Sequence, residues 1–151
     1  MDVMDAPAAA AVAAAAQNGQ TIIACLDRTS VNDRHGIAML SLRVGERALP
    51  LFWEVKVCKG NLPVKTYLPL MARLASLVPF GAPVPVLADR FFGTADLIAA
   101  CRKYGFGYRI RLKGNLILSH ALGFKPEGMQ AAKSVWMTSP IFVRKASAMR
   151  T

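Results

Sequence analysis

Two apolar runs in this chain each end at an aspartate: Val84-Pro85-Val86-Leu87-Ala88 ends at Asp89, and Thr21-Ile22-Ile23-Ala24-Cys25-Leu26 ends at Asp27. Short apolar runs bounded by turn residues are typical of strands that are covered on both faces of a sheet. In open α/β sheets, ligands bind at the carboxyl ends of such strands. If the two strands are neighbours, their carboxylates converge and repel each other unless a hard divalent cation lies between them. The pattern predicts a metal site at Asp27 and Asp89, with Mg²⁺ as the favoured ion.

The rest of the chain predicts further strands and helices. Polar residues 28–36 read as a loop, after which 37–44 and 49–57 read as an antiparallel hairpin. A helix is predicted around Leu70 and Leu74, because Leu70, Leu74, Leu77 and Val78 share one helix face.

A second helix is predicted to begin at Thr94, a residue suited to cap it. Residues 106–113 alternate between apolar and basic side chains, as a half-buried strand does. The predicted order, β, ββ, α, β, α, β, belongs to the α/β class. The alanine-rich residues 1–20 read as a leader outside the core.

Composition points to a polyanionic partner. The 151 residues carry a formal net charge of +10, which favours nucleic acid. From Cys101 to the end, ten residues are basic and Glu127 is the only acid. Three widely spaced cysteines and two histidines argue against zinc and disulfides and for a reduced cytoplasmic protein. No segment predicts a signal peptide or a membrane span, so no membrane partner is expected.

Several blocks together strongly resemble the DDE transposases of bacterial insertion sequences, and most closely those of the insertion-sequence-4 type. The resemblance covers about residues 21–118. Its two main blocks are Leu87-Ala88-Asp89-Arg90-Phe91-Phe92-Gly93-Thr94 and Tyr108-Arg109-Ile110-Arg111-Leu112-Lys113-Gly114-Asn115. Supporting blocks are Leu26-Asp27-Arg28-Thr29, Arg47-Ala48-Leu49-Pro50-Leu51-Phe52-Trp53-Glu54 and Lys59-Gly60-Asn61.

The resemblance implies a ribonuclease-H-like core, a mixed sheet flanked by helices, that is incomplete here. Asp27 and Asp89 match the first two acids of the DDE triad and would act as catalytic residues and metal ligands. In the family they hold two Mg²⁺ ions, for which Mn²⁺ is the alternative, and these activate water or a DNA 3′-hydroxyl for attack on phosphorus. The implied partner is the DNA of transposon ends, in the bacterial cytoplasm at the nucleoid. A homodimer, or association with a full-length transposase, is a further expectation.

One part of the family pattern is missing. The third acid of the family is a glutamate in a downstream helix with a Tyr, Arg, Glu, Lys signature, and residues 119–151 do not resemble it. Glu127, between Pro126 and Gly128, has no helical pattern around it and is not expected to be a ligand. We therefore expect a catalytic-core fragment, left by a frameshift or an early stop, that binds metal weakly and performs little or no strand transfer.

Several side chains keep two interpretations. Arg109, Arg111 and Lys113 would contact DNA phosphates or form the solvated face of an edge strand. Arg90 would steer a phosphate toward the metals or pair with an acid. Thr29 would orient the first aspartate by a hydrogen bond or cap a turn. Asp27 and Asp89 themselves could be turn formers or caps, although the resemblance favours metal binding.

The aromatic residues Phe52, Trp53 and Tyr108 are predicted to lie in the core rather than to stack on bases. Two alternatives to a transposase core also stay open. One is a catalytically dead, basic module that binds DNA or interferes with an intact transposase. The other is an unstable pseudogene product, whose apolar sheet surface stays uncovered.

Overall fold

The computed structural model describes residues 5–32, 34–58 and 60–111, and the backbone of one further strand at 136–138. Predictions made for Lys113, for Glu127 and for the remainder of 119–151 lie outside the described residues. In the described part the chain is of the α/β class, as predicted. Its strands are β1 (Ala24–Val31), β2 (His35–Val44), β3 (Arg47–Val57), β4 (Pro85–Ala88), β5 (Gly107–Arg111) and β6 (Trp136–Thr138), and its helices are α1 (Asp5–Ala15), α2 (Leu68–Leu77) and α3 (Ala95–Lys103).

The strands form one mixed sheet in the order β3-β2-β1-β4-β5-β6. Strand β2 is antiparallel to both β1 and β3, whereas β4 is parallel to β1 and to β5. Helix α2 connects β3 to β4 and α3 connects β4 to β5, so both crossovers run in the same direction along the sheet. Right-handed crossovers in one direction place both helices on the same face of the sheet.

The helices and one face of the sheet share a single core. Even-numbered residues of the central strands point into it, as the complete burial of Ala24, Ala38 and Ile110 shows. Side chains of odd-numbered residues in β1, β2, β4 and β5 point to the opposite face, here called the open face. The helices contribute Val12, Leu70, Met71, Leu74, Leu97 and Cys101 to this core.

Most elements lie where the sequence predicts them. Helix α2 buries Leu70 and Leu74, and the Thr94 hydroxyl accepts a hydrogen bond from the amide of Leu97 (3.4 Å) at the start of α3. Strand β5 buries Tyr108 and Ile110. Phe52 is also buried, but Trp53 is 46% exposed, which corrects the prediction that Trp53 lies in the core. Its side chain belongs to the open face.

Helix α1 corrects the prediction that residues 1–20 lie outside the core. Ala8 and Val12 are buried, and Asp5 forms an ion pair with Arg73 of α2. An alanine-rich helix has little amphipathic pattern, so the sequence offered only one large side chain, Val12, to indicate packing. The neighbouring helix α2 supplies the apolar surface on which the small alanine side chains can pack closely.

Strand β1 also differs from the prediction. It does not end at Asp27 but continues to Val31, pairing with β2 as far as Val31 and His35. The ladder bonds to β2 come from the backbone and do not depend on the polar side chains of 27–30. The parallel pairing with β4, in contrast, ends at Leu26 and Ala88, directly before the two aspartates. No helix in the described part of the chain has the length and apolarity that a membrane crossing requires.

Candidate metal and phosphate site

The two aspartates lie side by side at the carboxyl end of the parallel strands. In the register of β1 and β4, Leu26 pairs with Ala88, so the next residue on each strand is Asp27 and Asp89. Both side chains are exposed and both line one groove of about 490 Å³ on the open face. The two apolar runs are thus neighbouring strands, which is the condition under which the sequence predicts that Asp27 and Asp89 share a site.

Backbone amides orient both carboxylates. Asp27 Oδ1 accepts a hydrogen bond from the amide of Arg28 (2.7 Å), and Asp89 Oδ1 accepts one from the amide of Phe91 (2.8 Å). Asp89 is thus the cap of a short 3-10 turn, Arg90–Phe92. Among the described residues, no hydrogen bond involves Oδ2 of either carboxylate, so these oxygens are available to other partners. Capping and metal binding, which the sequence offered as alternatives, are compatible in Asp89.

Two basic side chains share the groove with the acids. Arg109 and Arg111 of β5 line it, and β5 lies directly beside β4. Because β5 also pairs with β6, it is not an edge strand, and a solvated edge no longer explains its basic residues. Guanidinium groups beside carboxylates provide anion and cation binding within one groove. Lys113, predicted to join them, lies outside the described residues.

Two predicted site residues lie elsewhere. Arg90 is exposed and does not line the groove; its guanidinium carbon lies 5.5 Å from the centre of the Phe91 ring. Thr29 is exposed on the open face, two residues beyond Asp27, and its hydroxyl is not bonded to that carboxylate in the described part of the structure. The roles of Arg90 in phosphate steering and of Thr29 in orienting Asp27 stay predictions.

A second, smaller pocket of about 120 Å³ reaches the same acids. Asp27 and Asp89 line it together with Arg28, Asn61 and Tyr67. Arg28 Nη1 donates a hydrogen bond to Asn61 Oδ1 (2.8 Å), while the buried Arg28 Nε has no partner in the described part of the chain. The two acids therefore lie between the open-face groove and this smaller pocket. Arg28 borders the smaller pocket.

Tyr67 was not predicted from the sequence. It is buried against Phe92, with ring centroids 4.8 Å apart and nearly perpendicular planes. Burial is the main cause that raises the pKa of the Tyr67 hydroxyl to about 12; Arg28 opposes the rise, and Asp27 and Asp89 add to it. No motif marked Tyr67, whereas Arg28 directly follows the first acid and Asn61 lies in one of the blocks that carry the resemblance.

The described residues contain no cluster of three or more His, Cys, Asp or Glu side chains that could hold a metal. An ion at this site would therefore have the carboxylate pair as its protein ligands among the described residues. Mg²⁺ is commonly bound by one or two carboxylates, with water and substrate phosphate oxygens completing its coordination. Two carboxylates with neighbouring guanidiniums fit an ion that is bound together with a phosphate.

Comparison with protein-family models and with curated proteins gave no match to this chain.

Proposed function

We propose that this chain is the central part of a DDE transposase catalytic core with a ribonuclease-H-like fold. The observation that carries the proposal is the placement of Asp27 and Asp89 on the adjacent parallel strands β1 and β4, at the same end and in one groove. The strand order β3-β2-β1-β4-β5 with an antiparallel β2 is compatible with that fold. The sequence blocks around both acids, which resemble the family, support the same assignment.

In this proposal Asp27 and Asp89 hold Mg²⁺ or Mn²⁺ through their Oδ2 atoms. When bound, the metal activates water or a 3′-hydroxyl and neutralises the leaving oxygen. The protein's own contribution is to fix the acids: the amides of Arg28 and Phe91 hold Oδ1 of each carboxylate. Arg109 and Arg111 bind DNA phosphates and position the backbone in the groove without reading its sequence.

Metal binding tests the proposal directly. Mn²⁺ titration followed by electron paramagnetic resonance should detect binding that Asp27→Asn or Asp89→Asn weakens by about tenfold or more, since each removes one charged ligand. Asp96→Asn is the matched control, because Asp96 is an exposed acid in the first turn of α3. If the two site variants bind Mn²⁺ as well as the control does, the proposed metal site is wrong.

Strand cleavage and transfer on supercoiled DNA test the activity. We expect little or no Mg²⁺-dependent product from this chain, because the described residues supply two acids and the family uses three. Mg²⁺-dependent strand transfer that Asp89→Asn abolishes would contradict this expectation, and it would place a third ligand outside the described residues.

A second candidate function is DNA binding without cutting, which the lack of a third acid near Asp27 and Asp89 in the described part favours. In that case Asp27→Ala should leave both DNA affinity and any interference with an intact transposase unchanged. A loss of either with Asp27→Ala would favour the metal-dependent function.

A further inference from the structure

The outer strand of the sheet, β3, carries a pattern that fits a second copy of itself. Among the described strands, β3 lies at one edge of the sheet, next to β2 alone. It is 11 residues long, and its last part exposes Trp53, Val55 and Val57 at 46%, 53% and 82%. Edge strands with unpaired backbone groups and apolar side chains are ready partners for another strand. This observation does not depend on the proposed function.

In the described part of the structure, the backbone groups of this segment that do not pair with β2 belong to odd-numbered residues. The amide of Cys58 donates to the carbonyl of Arg34 at 2.9 Å, so the groups of residue 58 are directed toward β2. Along a strand this direction alternates. The N–H and C=O groups of Trp53, Val55 and Val57 are therefore directed away from β2, toward the open edge.

The charges of the segment are self-complementary. Glu54 and Lys56 lie on the other face of β3, where they form an ion pair, and their side chains are 33% and 51% exposed. In an antiparallel pairing of two copies centred on Val55, Glu54 of each copy lies opposite Lys56 of the other. Opposite charges at directly facing positions stabilise a strand pair.

The apolar side chains follow the same register. Val55 faces Val55 of the second copy, and Trp53 faces Val57. These are also the positions whose backbone groups are free, so every facing pair at 53, 55 and 57 can exchange two hydrogen bonds. A two-fold axis through this pairing brings identical patches together, as a symmetric dimer requires.

We propose that two copies of this chain dimerise by antiparallel pairing of residues 53–57 of β3, which joins their sheets into one continuous sheet. The occupant is a second copy rather than another protein, because charge, side-chain size and backbone pattern all match under the same two-fold axis. None of residues 53–57 lines the groove of Asp27 and Asp89, which Ala48 alone borders from β3 among the described residues.

Charge reversal tests the register. Sedimentation equilibrium of the full chain at fixed ionic strength should show a dimer, and Glu54→Lys or Lys56→Glu should raise its Kd roughly tenfold, because each places like charges together twice. The double variant Glu54→Lys/Lys56→Glu should restore the Kd. Arg47→Glu is the matched control, since it reverses a charge on β3 outside the pairing segment.

A monomeric wild-type chain would overturn the proposal, and so would single reversals without effect or a double variant that stays monomeric. A second measurement checks the centre of the pairing. Val55→Cys should form an intermolecular disulfide on oxidation, because facing residues of a hydrogen-bonded pair have Cα atoms about 5.5 Å apart, within disulfide range. Val57→Cys, although more exposed, should not exceed the wild-type level of crosslinking. Equal crosslinking by both variants would rule out this register.

Discussion

At the scale of single residues, Asp89 shows how one side chain can serve structure and chemistry together. Its Oδ1 caps the turn Arg90–Phe92, and the same carboxylate lines the groove that Asp27 shares, where we propose ion binding. An aspartate at the end of a strand is ambiguous in the sequence because both roles use the same residue type. The structure provides the missing fact, which is the identity of the neighbouring strand.

The two roles of Asp89 can be separated by substitution. Asp89→Asn keeps an acceptor for the amide of Phe91, so the free energy of unfolding should change little, whereas Asp89→Ala should lose about 1 kcal/mol. Mn²⁺ affinity should fall in both variants. Urea unfolding together with metal titration measures the two effects. If Asp89→Asn were as unstable as Asp89→Ala, the capping bond would not be the stabilising contact.

Cys101 gives the chain a defined alkaline response. Burial in the core raises the pKa of its thiol to about 11, from an ordinary 9.0. As pH rises, the thiol therefore ionises in the unfolded chain before it ionises in the folded one. The contribution of the buried, protonated thiol to the free energy of unfolding is complete below pH 9 and is lost as pH rises toward 11.

The corresponding measurement is the free energy of unfolding of wild type and Cys101→Ala from neutral to alkaline pH. Cys101→Ala removes the thiol's share of the alkaline loss but leaves that of Tyr67, so its stability should decline less steeply above pH 9. A small cavity lowers the stability of the variant by the same amount at every pH. Parallel curves for the two proteins would contradict the prediction.

At the scale of elements, the sequence predicted those parts whose periodicity is strong. Helices α2 and α3, the hairpin of β2 and β3, and strand β4 follow from apolar spacing and from Gly, Pro and Thr at their ends. The extension of β1 past Asp27 could not be predicted, because residues 27–30 are polar and only the ladder with β2 keeps them extended. The packing of α1 on the core could not be predicted either, because a run of alanines shows no alternation of apolar and polar residues that would mark a buried helix face.

Gly36 of β2 is required by close packing rather than by its backbone angles. A Cβ atom there would lie 2.8 Å from Cys58 Sγ and 3.1 Å from Leu62 Cγ. We expect Gly36→Ala to destabilise the chain by about 1–2 kcal/mol through overpacking.

Cys58→Ala removes the sulfur atom nearest to the added methyl group and provides the control. In that background the cost of Gly36→Ala should shrink, and a double-mutant cycle from urea unfolding measures the difference. Strictly additive free energies would show that Cys58 does not limit the space beside Gly36.

At the scale of the whole molecule, the net charge of +10 predicts binding to polyanions, and the fold concentrates part of that charge beside the acids. The sequence indicated basic residues on one face of β5, but not that this face adjoins Asp89, which depends on the pairing of β5 with β4.

DNA binding should therefore fall with salt, and Arg109→Ala/Arg111→Ala should reduce the slope of log K against log[salt] by about 2, one unit for each phosphate contact. Arg102→Ala/Lys103→Ala removes the same charge from the exposed end of α3 and is the control. The slopes come from fluorescence anisotropy at several salt concentrations. Equal reductions in both double variants would mean that net charge, not the groove, binds DNA.

The short contact between β1 and β4 has a mechanical consequence. The ladder between β1 and β4, which connects the antiparallel strands β1–β3 to the parallel pair β4–β5, contains three residue pairs and stops immediately before the acids. After this ladder ends, β1 continues to pair with β2, whereas the chain that leaves β4 turns away from β1 into the 3-10 turn Arg90–Phe92. The distance between the two carboxylates thus depends on the angle at which the two backbones diverge. A small rotation of one half of the sheet against the other would change this distance, and with it the affinity for the proposed ion.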